Sequence, residues 1–505
     1  MLTYHSQLKS QVNLDYQREI MRDLRRSDRT NAPTSIKYNL SRADDVDPFF
    51  HLMDDPNTVF EGIEGLYNFC EKSVVVITFQ QSFVLLKAMK SNNPEIIEKS
   101  LILIEKILMF NEEFNTEIFS QQEFISVFLN YLHSIHSINS LIIIIKSNVQ
   151  SAKYILDRFK EFPIKSLLKK NAYNLEINIH FLSSFAVHEE KHCIEFLSGF
   201  LPKIFKLARS GLRPSVRFTC LEFIFNLISV NKALIQKIAY HSQLITVFQS
   251  PPSCPQERIL ELRILRQLAS QTHDSLTVIV SNNLLPFVLF CASLSFNNKN
   301  IINNSNHHVN NECEDTLNNI LNTFSLGDNS SLCDSVCTSA SDFDHECYDN
   351  VSACYSIDIL GEIAACGNDG VNILSQNGVD DLLMNILHSK KQFDMMICAI
   401  CAILEIIKHS TSEHIDFYLR NNFFDIVGQI YESIPDDALE RITVLIYQII
   451  QKGMIENNSQ LLKAMFTATL LIESIEFLIH NETYPISSIS TEIVAIANNF
   501  FENSP

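Results

Sequence analysis

The chain has 505 residues, of which only 11 are Gly and 14 are Pro. Tight turns and phosphate-binding loops depend on these two residues, so their scarcity excludes most β-rich and nucleotide-binding architectures and favours long helices. Lys and Arg number 39 against 58 Asp and Glu, a formal charge of −19 that disfavours nucleic acid as a partner and favours basic protein segments.

The cysteines and the apolar runs indicate the cellular compartment in which the protein is expected. There are 13 cysteines, an odd number, with no spacing typical of a disulfide framework. We therefore expect free thiols in a reducing compartment, and a cytoplasmic or nuclear protein. No run approaches the roughly 18 uncharged apolar residues that cross a bilayer, and the first residues lack the apolar core of a signal peptide. The sequence thus predicts no membrane partner.

Residues 1–46 are expected to form a polar N-terminal arm that is locally basic in an acidic chain. Asn31-Ala32-Pro33 ends any helix in it. The hypothesis that this arm binds a partner rests on its arginines, Arg18, Arg22, Arg25, Arg26 and Arg29.

From residue 47 onward an apolar helix, a short polar or Pro-containing hinge and a longer apolar helix recur. The hinges are Asp54–Pro56, Asn92–Pro94, Ser134–Ser137, Ala172–Asn174, Gly211–Pro214, Ser253–Pro255, Ser389–Lys391 and Ile434–Asp436. Successive spacings up to Pro255 are about 38, 43, 37, 40 and 41 residues, inside the period of α-helical repeat families. Because one such repeat cannot bury its apolar face alone, the pattern predicts an all-α solenoid of about nine or ten stacked repeats.

Residues 297–346 interrupt this pattern. They are rich in Asn, Ser and Asp, and Lys299 is their only Lys or Arg. Such a composition predicts a disordered acidic insertion within one repeat. It separates repeats over residues 47–296 from repeats and a C-terminal cap over residues 347–505.

The segment Leu374–Leu387, LSQNGVDDLLMNIL, resembles the junction between the helices of an armadillo repeat. A turn residue and Gly lead into a helix there, and a longer helix follows, here over residues 395–408. Gly378 suits the tight bend. The match is specific over about residues 350–450 and periodic elsewhere. It implies an armadillo-type, right-handed α-solenoid that binds other proteins without catalysis or cofactors.

Within that family the layout is similar to importin-alpha, in which a short Arg-bearing arm precedes the repeats of an acidic chain. Members pair a Trp with an Asn four positions later along a concave groove. This chain has no Trp, and only Asn68 and Asn226 keep the Asn. The resemblance implies a nuclear import adaptor that binds basic segments and whose arm engages a carrier.

Carboxylates within otherwise apolar third helices are the main candidate site residues. They are Glu64, Glu222, Asp358, Glu362 and Glu405. A buried charge is costly, so we expect these side chains to face solvent on the concave surface. Together with Asn68 and Asn226 they would line an anionic groove for an extended basic segment. The alternative is that any helix carries polar residues on one face.

His188-Glu189-Glu190-Lys191-His192 fits the zinc-hydrolase pattern H-E-x-x-H, in which two imidazoles share one helix face. The charged Glu190 and Lys191 between the ligands, and the lack of a following Gly and third His, favour a polar turn instead. A zinc hydrolase is kept as a remote alternative.

Cysteine clusters are a second candidate for metal or redox chemistry. Cys333, Cys337, His345 and Cys347 lack the tight paired knuckles of structural zinc sites, and Cys398 and Cys401 lie in an apolar helix. No phosphate-binding loop, nucleophile elbow or kinase signature is present. We therefore predict no enzyme, no cofactor and no metal.

The sequence leaves two functions open. One is an import-type adaptor for basic segments, and the other is a generic cytosolic armadillo scaffold for signalling or cytoskeletal assemblies. Neither the partner nor the oligomeric state follows from the residues.

Overall fold

The computed structural model describes residues 39–40, 43–110, 112–159, 167–169, 174–188, 190–209, 213–230, 235, 238, 242–250, 252–271, 276–294, 342–389, 392–468, 470–479 and 486–503. The arginine-bearing arm and the insertion up to residue 341 therefore lie outside the described residues. The chain divides into two compact units, unit 1 up to Leu197 and unit 2 from Ser198 onward.

Unit 1 is helical. Its helices are α1 (Ala43–Asp54), α2 (Val59–Cys70), α3 (Phe79–Met89), α4 (Pro94–Phe110), α5 (Glu112–Phe119), α6 (Gln122–Asn130), α7 (Ile135–Ser147), α8 (Val149–Phe159), α9 (Leu175–Ser184) and α10 (Lys191–Ser198). A 3-10 turn, Phe185–Val187, follows α9. Two short parallel strands, β1 (Asn39–Leu40) and β2 (Ser73–Val74), pair with each other.

Unit 2 continues in the same way. Its helices are α11 (Leu201–Arg209), α12 (Pro214–Val230), α13 (Ser242–Phe248), α14 (Pro255–Gln271), α15 (Leu285–Ser293), α16 (Asp342–Ala364), α17 (Asn368–Gln376), α18 (Val379–Ser389), α19 (Phe393–His409), α20 (Ser412–Arg420), α21 (Phe423–Ile430), α22 (Asp436–Ile455), α23 (Ser459–Thr467), α24 (Leu471–Ile479) and α25 (Ser487–Asn503). A π turn, Leu276–Val280, precedes α15.

In each unit a series of helices, here called the ladder helices, packs each on the next. In unit 1 they are α2, α4, α7 and α9, and in unit 2 they are α12, α14, α16, α19, α22 and α25. The shorter helices between them pack against the ladder helices and against one another. A ladder helix therefore buries apolar side chains against two neighbours in the ladder, as repeats that cannot fold singly require.

The hinges read from the sequence lie at the starts of ladder helices. Pro94, Pro214 and Pro255 are the first residues of α4, α12 and α14, and Pro435 immediately precedes α22. Pro is favoured there because its fixed φ suits the first turn and its missing N–H would have no helical partner. The regular spacing of the hinges along the sequence is therefore the spacing of the ladder helices.

The all-α, repeat-like prediction is confirmed, because β1 and β2 are the only strands among the described residues. Two predicted boundaries differ. The first helix begins at Ala43 rather than at residue 47, and α16 begins at Asp342 rather than at residue 347. None of the helices in the described ranges has both the length and the apolar character needed to cross a membrane.

Phenylalanine supplies the aromatic core. In unit 1, Phe159 of α8 lies 5.4 Å between ring centroids from Phe181 of α9, and Phe181 lies 5.6 Å from Phe185. All three rings are fully buried. Phe196 of α10 stacks on Phe159 at 6.2 Å. Edge-to-face and stacked pairs of this kind stabilise a core beyond their buried area.

Glycine is required at two helix junctions. A Cβ on Gly62 would lie 2.7 Å from the backbone nitrogen of Met53 and 2.7 Å from the carbonyl oxygen of Phe49, so α1 and α2 touch through their backbones. Gly378 has a φ of +70° between α17 and α18, and its N–H donates to the carbonyl of Ser375 at 3.0 Å. The bend expected at Gly378 is therefore a left-handed helix end.

Gly62→Ala should lower the free energy of unfolding, because its Cβ must push α1 away from α2. Gly65→Ala, on the same helix, is the matched control, since its Cβ would meet only the ring of Phe49. Both changes gain the same helix propensity. We expect Gly62→Ala to be less stable than Gly65→Ala by about 1–3 kcal/mol in urea denaturation. Equal stabilities of the two variants would show that α1 does not approach Gly62 of α2 as closely as the structure shows.

Candidate functional site

One side of the ladder in unit 2 carries polar side chains at half-buried positions. On α12 these positions follow one helix face, with Glu222 and Asn226 one turn apart. Polar side chains at half-buried positions of α14, α16, α19 and α22 continue the row. We call this row the polar strip, and its members are Glu222, Asn226, Arg263, Arg266, Asp358, Glu362, Glu405, Lys408 and Arg441.

The strip crosses from α12 to α14 through a cation–π contact. The guanidinium of Arg263 lies over the ring of Phe225, 4.2 Å from its centroid. Close by, Ser229 of α12 contacts the Gln267 side chain of α14 at 3.5 Å. These contacts pack this face of α14 against α12, where Asn226 follows Phe225 in sequence.

An ion pair links α14 to α16 along the strip. Arg266 Nη2 lies 3.0 Å from Asp358 Oδ2, and the Asp358 side chain is only 15 % exposed. The guanidinium also lies 5.7 Å from the ring centroid of Tyr355. Asp358 raises the pKa of Arg266, an effect that outweighs its burial. Asp358 is thus held by a cation of the preceding ladder helix.

Arg441 of α22 interacts electrostatically with three carboxylates of the strip. Burial lowers the pKa of its guanidinium, but Cys401, Asp358, Glu362 and Glu405 together raise it by more, so the net pKa lies above its ordinary value. Two of these carboxylates lie on α16 and one lies on α19. The charge of Arg441 is therefore compensated by carboxylates of the two preceding ladder helices.

At the end of α19, Glu405 forms its own ion pair. Its carboxylate lies 3.1 Å from Lys408 Nζ, and its side chain is 13 % exposed. Lys452 of α22 donates to the carbonyl oxygens of Ile407 at 3.2 Å and Ser410 at 2.5 Å. These bonds satisfy carbonyls that the helix end leaves without a partner, and they fix the C-terminus of α19 against α22.

The structure distributes the predicted groove residues unevenly. It places Asp358, Glu362 and Glu405 where their charges act on Arg441, with Glu222 and Asn226 half-buried farther along the strip. The expectation that all the carboxylates face solvent does not hold for Asp358 and Glu405, because cations of neighbouring residues hold them.

Glu64 and Asn68 lie in unit 1, one turn apart on α2, and both are exposed. They occupy a ladder helix, as the other predicted residues do. Among the described residues Glu64 has no ion-pair partner. The arginines predicted in the N-terminal arm lie outside the described residues.

Sequence reasoning missed the cations of the strip. Arg263 and Arg266 lie three residues apart on α14, a spacing that puts them on one helix face, and Arg441 follows the Pro435 hinge within α22. That spacing was readable from the sequence. The pairing with carboxylates of α16 was not, because it depends on the register between two helices.

Aromatic rings on ladder helices carry the protein's own cations. Besides Phe225 and Tyr355 in unit 2, two rings of α2 in unit 1 do so. Lys99 lies 5.2 Å from the ring centroid of Phe60, and Lys106 lies 4.9 Å from that of Tyr67. Each cation comes from the next ladder helix, α4. The ring faces on which a ligand's lysine would stack are therefore already covered.

The zinc-hydrolase pattern does not form one helix face. His188 has an extended backbone after the 3-10 turn and its Nε2 contacts the carbonyl oxygen of Ile145, whereas His192 lies in α10. In the part of the chain that the structure describes, no His, Cys, Asp and Glu side chains cluster closely enough to hold a metal ion.

Of the predicted thiol clusters, Cys333 and Cys337 lie outside the described residues, and His345 and Cys347 fall in the first turns of α16. Cys401 is buried in α19 and Cys398 is half-buried there, and both are free thiols. Burial and a hydrogen bond with Cys354 raise the pKa of Cys398, with the hydrogen bond the larger cause. A thiol in this state is a poor nucleophile.

Beneath the strip, α12 and α14 share a buried charge cluster. Glu257 and Glu261 of α14 have fully buried side chains, and Arg217 of α12 contacts both. Arg217 also donates to the carbonyl oxygens of Val247 at 3.2 Å and Ser250 at 2.7 Å. Burial raises the pKa of Glu261 to about 8, although Arg217 opposes this effect.

No family model matches the sequence, and no curated protein matches it. Among solved structures, the chain is similar to the crystal structure of an engineered protein, with a TM-score of 0.63 and 12 % sequence identity. The match covers 90 % of this chain and 99 % of that one. At this identity the likeness shows the fold alone.

The buried cluster predicts a pH dependence of stability. Glu261 is protonated in the folded chain up to about pH 8, but it ionises near pH 4.3 when unfolded. The folded state therefore binds more protons in that window, and stability should fall as pH rises, by up to roughly 1.4 kcal/mol per pH unit. Urea denaturation of Glu261→Gln should remove this slope, while the exposed control Glu413→Gln should retain it. An unchanged slope in Glu261→Gln would contradict the raised pKa.

Removing Arg441 should expose the repulsion among its carboxylates. We expect Arg441→Met to lower the free energy of unfolding by about 3 kcal/mol at pH 7, because it leaves half-buried carboxylates with less compensating charge. The loss relative to wild type should shrink when salt is added, because mobile ions screen the repulsion among the carboxylates. Arg420→Met removes an exposed arginine of α20 as the control. A loss that does not vary with salt would mean that Arg441 acts by packing alone.

Proposed function

We propose that this protein is a non-enzymatic binding protein, and that an extended segment of a partner protein lies along the polar strip of unit 2. The observation that carries the proposal is the continuity of the strip. Half-buried polar side chains lie on each of α12, α14, α16, α19 and α22. A cation–π contact links α12 to α14, an ion pair links α14 to α16, and Arg441 of α22 interacts electrostatically with carboxylates of α16 and α19. A solenoid's functional surface is commonly such an extended row of equivalent positions.

The spacing of packed helices supports an extended ligand. Neighbouring helices pack with axes about 8–10 Å apart, and an extended chain advances about 3.3 Å per residue. Roughly every third residue of a bound segment would then meet a new ladder helix. Amide and guanidinium groups such as those of Asn226 and Arg263 can bond to both its backbone and its side chains.

The finer fold belongs to the same proposal. We take the chain to be an armadillo-type, right-handed α-solenoid of about nine or ten repeats, without a catalytic centre or cofactor. The serial packing of the ladder helices supports it, as does the left-handed Gly378 at the armadillo-like junction. A generic scaffold for signalling or cytoskeletal assemblies fits this proposal without further assumptions.

The charges of the strip argue against a purely basic ligand in unit 2. Asp358 and Glu405 are already paired, and Arg441 faces the same carboxylates. A Lys- or Arg-rich segment would have to displace these internal cations, and exchanging one ion pair for another gains little. A polar segment of mixed charge fits the strip better.

An import-type adaptor for basic segments is the second candidate, and unit 1 favours it. Glu64 and Asn68 are exposed one turn apart on α2, and Glu61 is exposed one turn earlier. An anionic surface of this kind attracts lysine-bearing segments. This candidate also requires the arginines of the N-terminal arm to engage a carrier protein.

Site-specific photo-crosslinking distinguishes these functions. A photoreactive residue is placed in the full-length protein at Asn226 or Lys408 on the strip, at Asn68 in unit 1, or at Glu413 of α20 as a control. In native extract, the strip positions should crosslink to one segment of one partner, at sites ordered along its sequence. Mass spectrometry identifies the crosslinked residue of the partner for each position in this protein.

Equal labelling from Glu413 and from the strip would contradict the proposed surface. Crosslinks from Asn68 to Lys- or Arg-rich segments, with none from Asn226 or Lys408, would favour the import adaptor instead. Adding salt should weaken the labelling of charged segments in either case.

A further inference from the structure

Arg263 differs from the other cations of the strip in its partners. Arg266 is paired with Asp358, Lys408 is paired with Glu405, and Arg441 faces several carboxylates. Within the described ranges, no carboxylate oxygen lies within ion-pair distance of Arg263. Among the described residues, the contact that its guanidinium makes is with the face of the Phe225 ring.

The stacked geometry keeps this guanidinium in place. At 4.2 Å from the ring centroid, it lies in direct contact with Phe225. Stacking on an aromatic face uses the flat side of the guanidinium and leaves its N–H groups, which point outward in the plane, available to an acceptor. Because Arg263 is half-buried, less of its side-chain freedom remains to be lost on binding.

Both helices carry an amide side chain close to this pair in sequence. Asn226 is adjacent to Phe225 on α12, and Gln267 follows Arg263 by one turn on α14. Arg266, three residues from Arg263, is 36 % exposed, so its pairing with Asp358 leaves part of its surface open. Glu222 is the nearest acidic residue on the same face of α12 and acts against an anion there.

We propose that Arg263 is the anion-recognising residue of the strip, and that it binds an acidic side chain of the partner segment, either the carboxylate of Asp or Glu or the phosphoryl group of a phosphorylated residue. The inference rests on the proposed function and adds the chemistry of the ligand to it. A planar guanidinium can donate two parallel hydrogen bonds to either group.

Phe225 is a positioning residue in this scheme. It touches the cation and not the ligand, and its ring holds the guanidinium of Arg263 in place on α12. Losing the ring should leave the charge in place but let the side chain sample other rotamers. Its removal should therefore weaken anion binding less than removal of the charge does.

The inference is tested with short synthetic peptides that differ only at one central residue, which is Asn, Asp, phosphoserine or Lys. Their dissociation constants for the full-length protein are measured at low and moderate salt. We expect the Asp and phosphoserine peptides to bind roughly fivefold to tenfold more tightly than the Asn peptide, and the Lys peptide to bind most weakly. The Asp and phosphoserine arms show which anion is preferred.

Variants then assign the effect to Arg263. Arg263→Gln should abolish the preference for the acidic peptides, Phe225→Leu should reduce it about twofold, and Glu222→Gln should increase it. Arg420→Gln removes an exposed arginine of α20 and should change nothing. Circular dichroism of each variant excludes loss of the fold as the cause.

Acidic peptides that bind no more tightly than the Asn peptide, including no binding of either, would overturn the inference. So would a preference that survives in Arg263→Gln. Crosslinking from Asn226 and Lys408 reports on the proposed function separately. If the crosslinks persist while the acidic preference is absent, the surface stands and the role of Arg263 does not.

Discussion

The packing of each inner ladder helix between two others determines the rest of the structure. A helix with neighbours on both sides, and with shorter helices against it, has little surface left for water, so its charges must fall on one narrow side. Charges crowded on that side meet those of the adjacent helices and are compensated locally. The strip of unit 2 is therefore a row of contacts between helices as well as a surface.

This double role affects what can bind. Where Arg266 holds Asp358, a ligand's cation can only exchange with a cation that is already present. Where Arg263 lies on Phe225, a ligand's anion adds an ion pair that did not exist before. Addition gains more free energy than exchange, because no existing pair is lost. A protein of formal charge −19 can thus favour an acidic contact at one position, since local pairing outweighs net charge at short range.

The ladder was readable from the sequence because its signals are local. A Pro at the first turn, as in Pro214 and Pro255, marks a helix start without reference to any other part of the chain. The electrostatic pairing was not readable. Asp358 was expected to face water because a lone buried charge is costly, but its partner Arg266 lies on another helix, far away in sequence. Only the register between α14 and α16 brings the two together, and periodicity does not encode register.

The reliance on phenylalanine also has an optical consequence. The chain contains no Trp, so its ultraviolet emission comes mainly from tyrosine, and no residue absorbs at the long wavelengths where only indole does. The ring of Phe225, stacked under a guanidinium at the edge of the strip, is a site where one indole would be the sole chromophore of its kind. The wavelength of its emission maximum would report how far water reaches this contact, and no other indole would contribute to the signal.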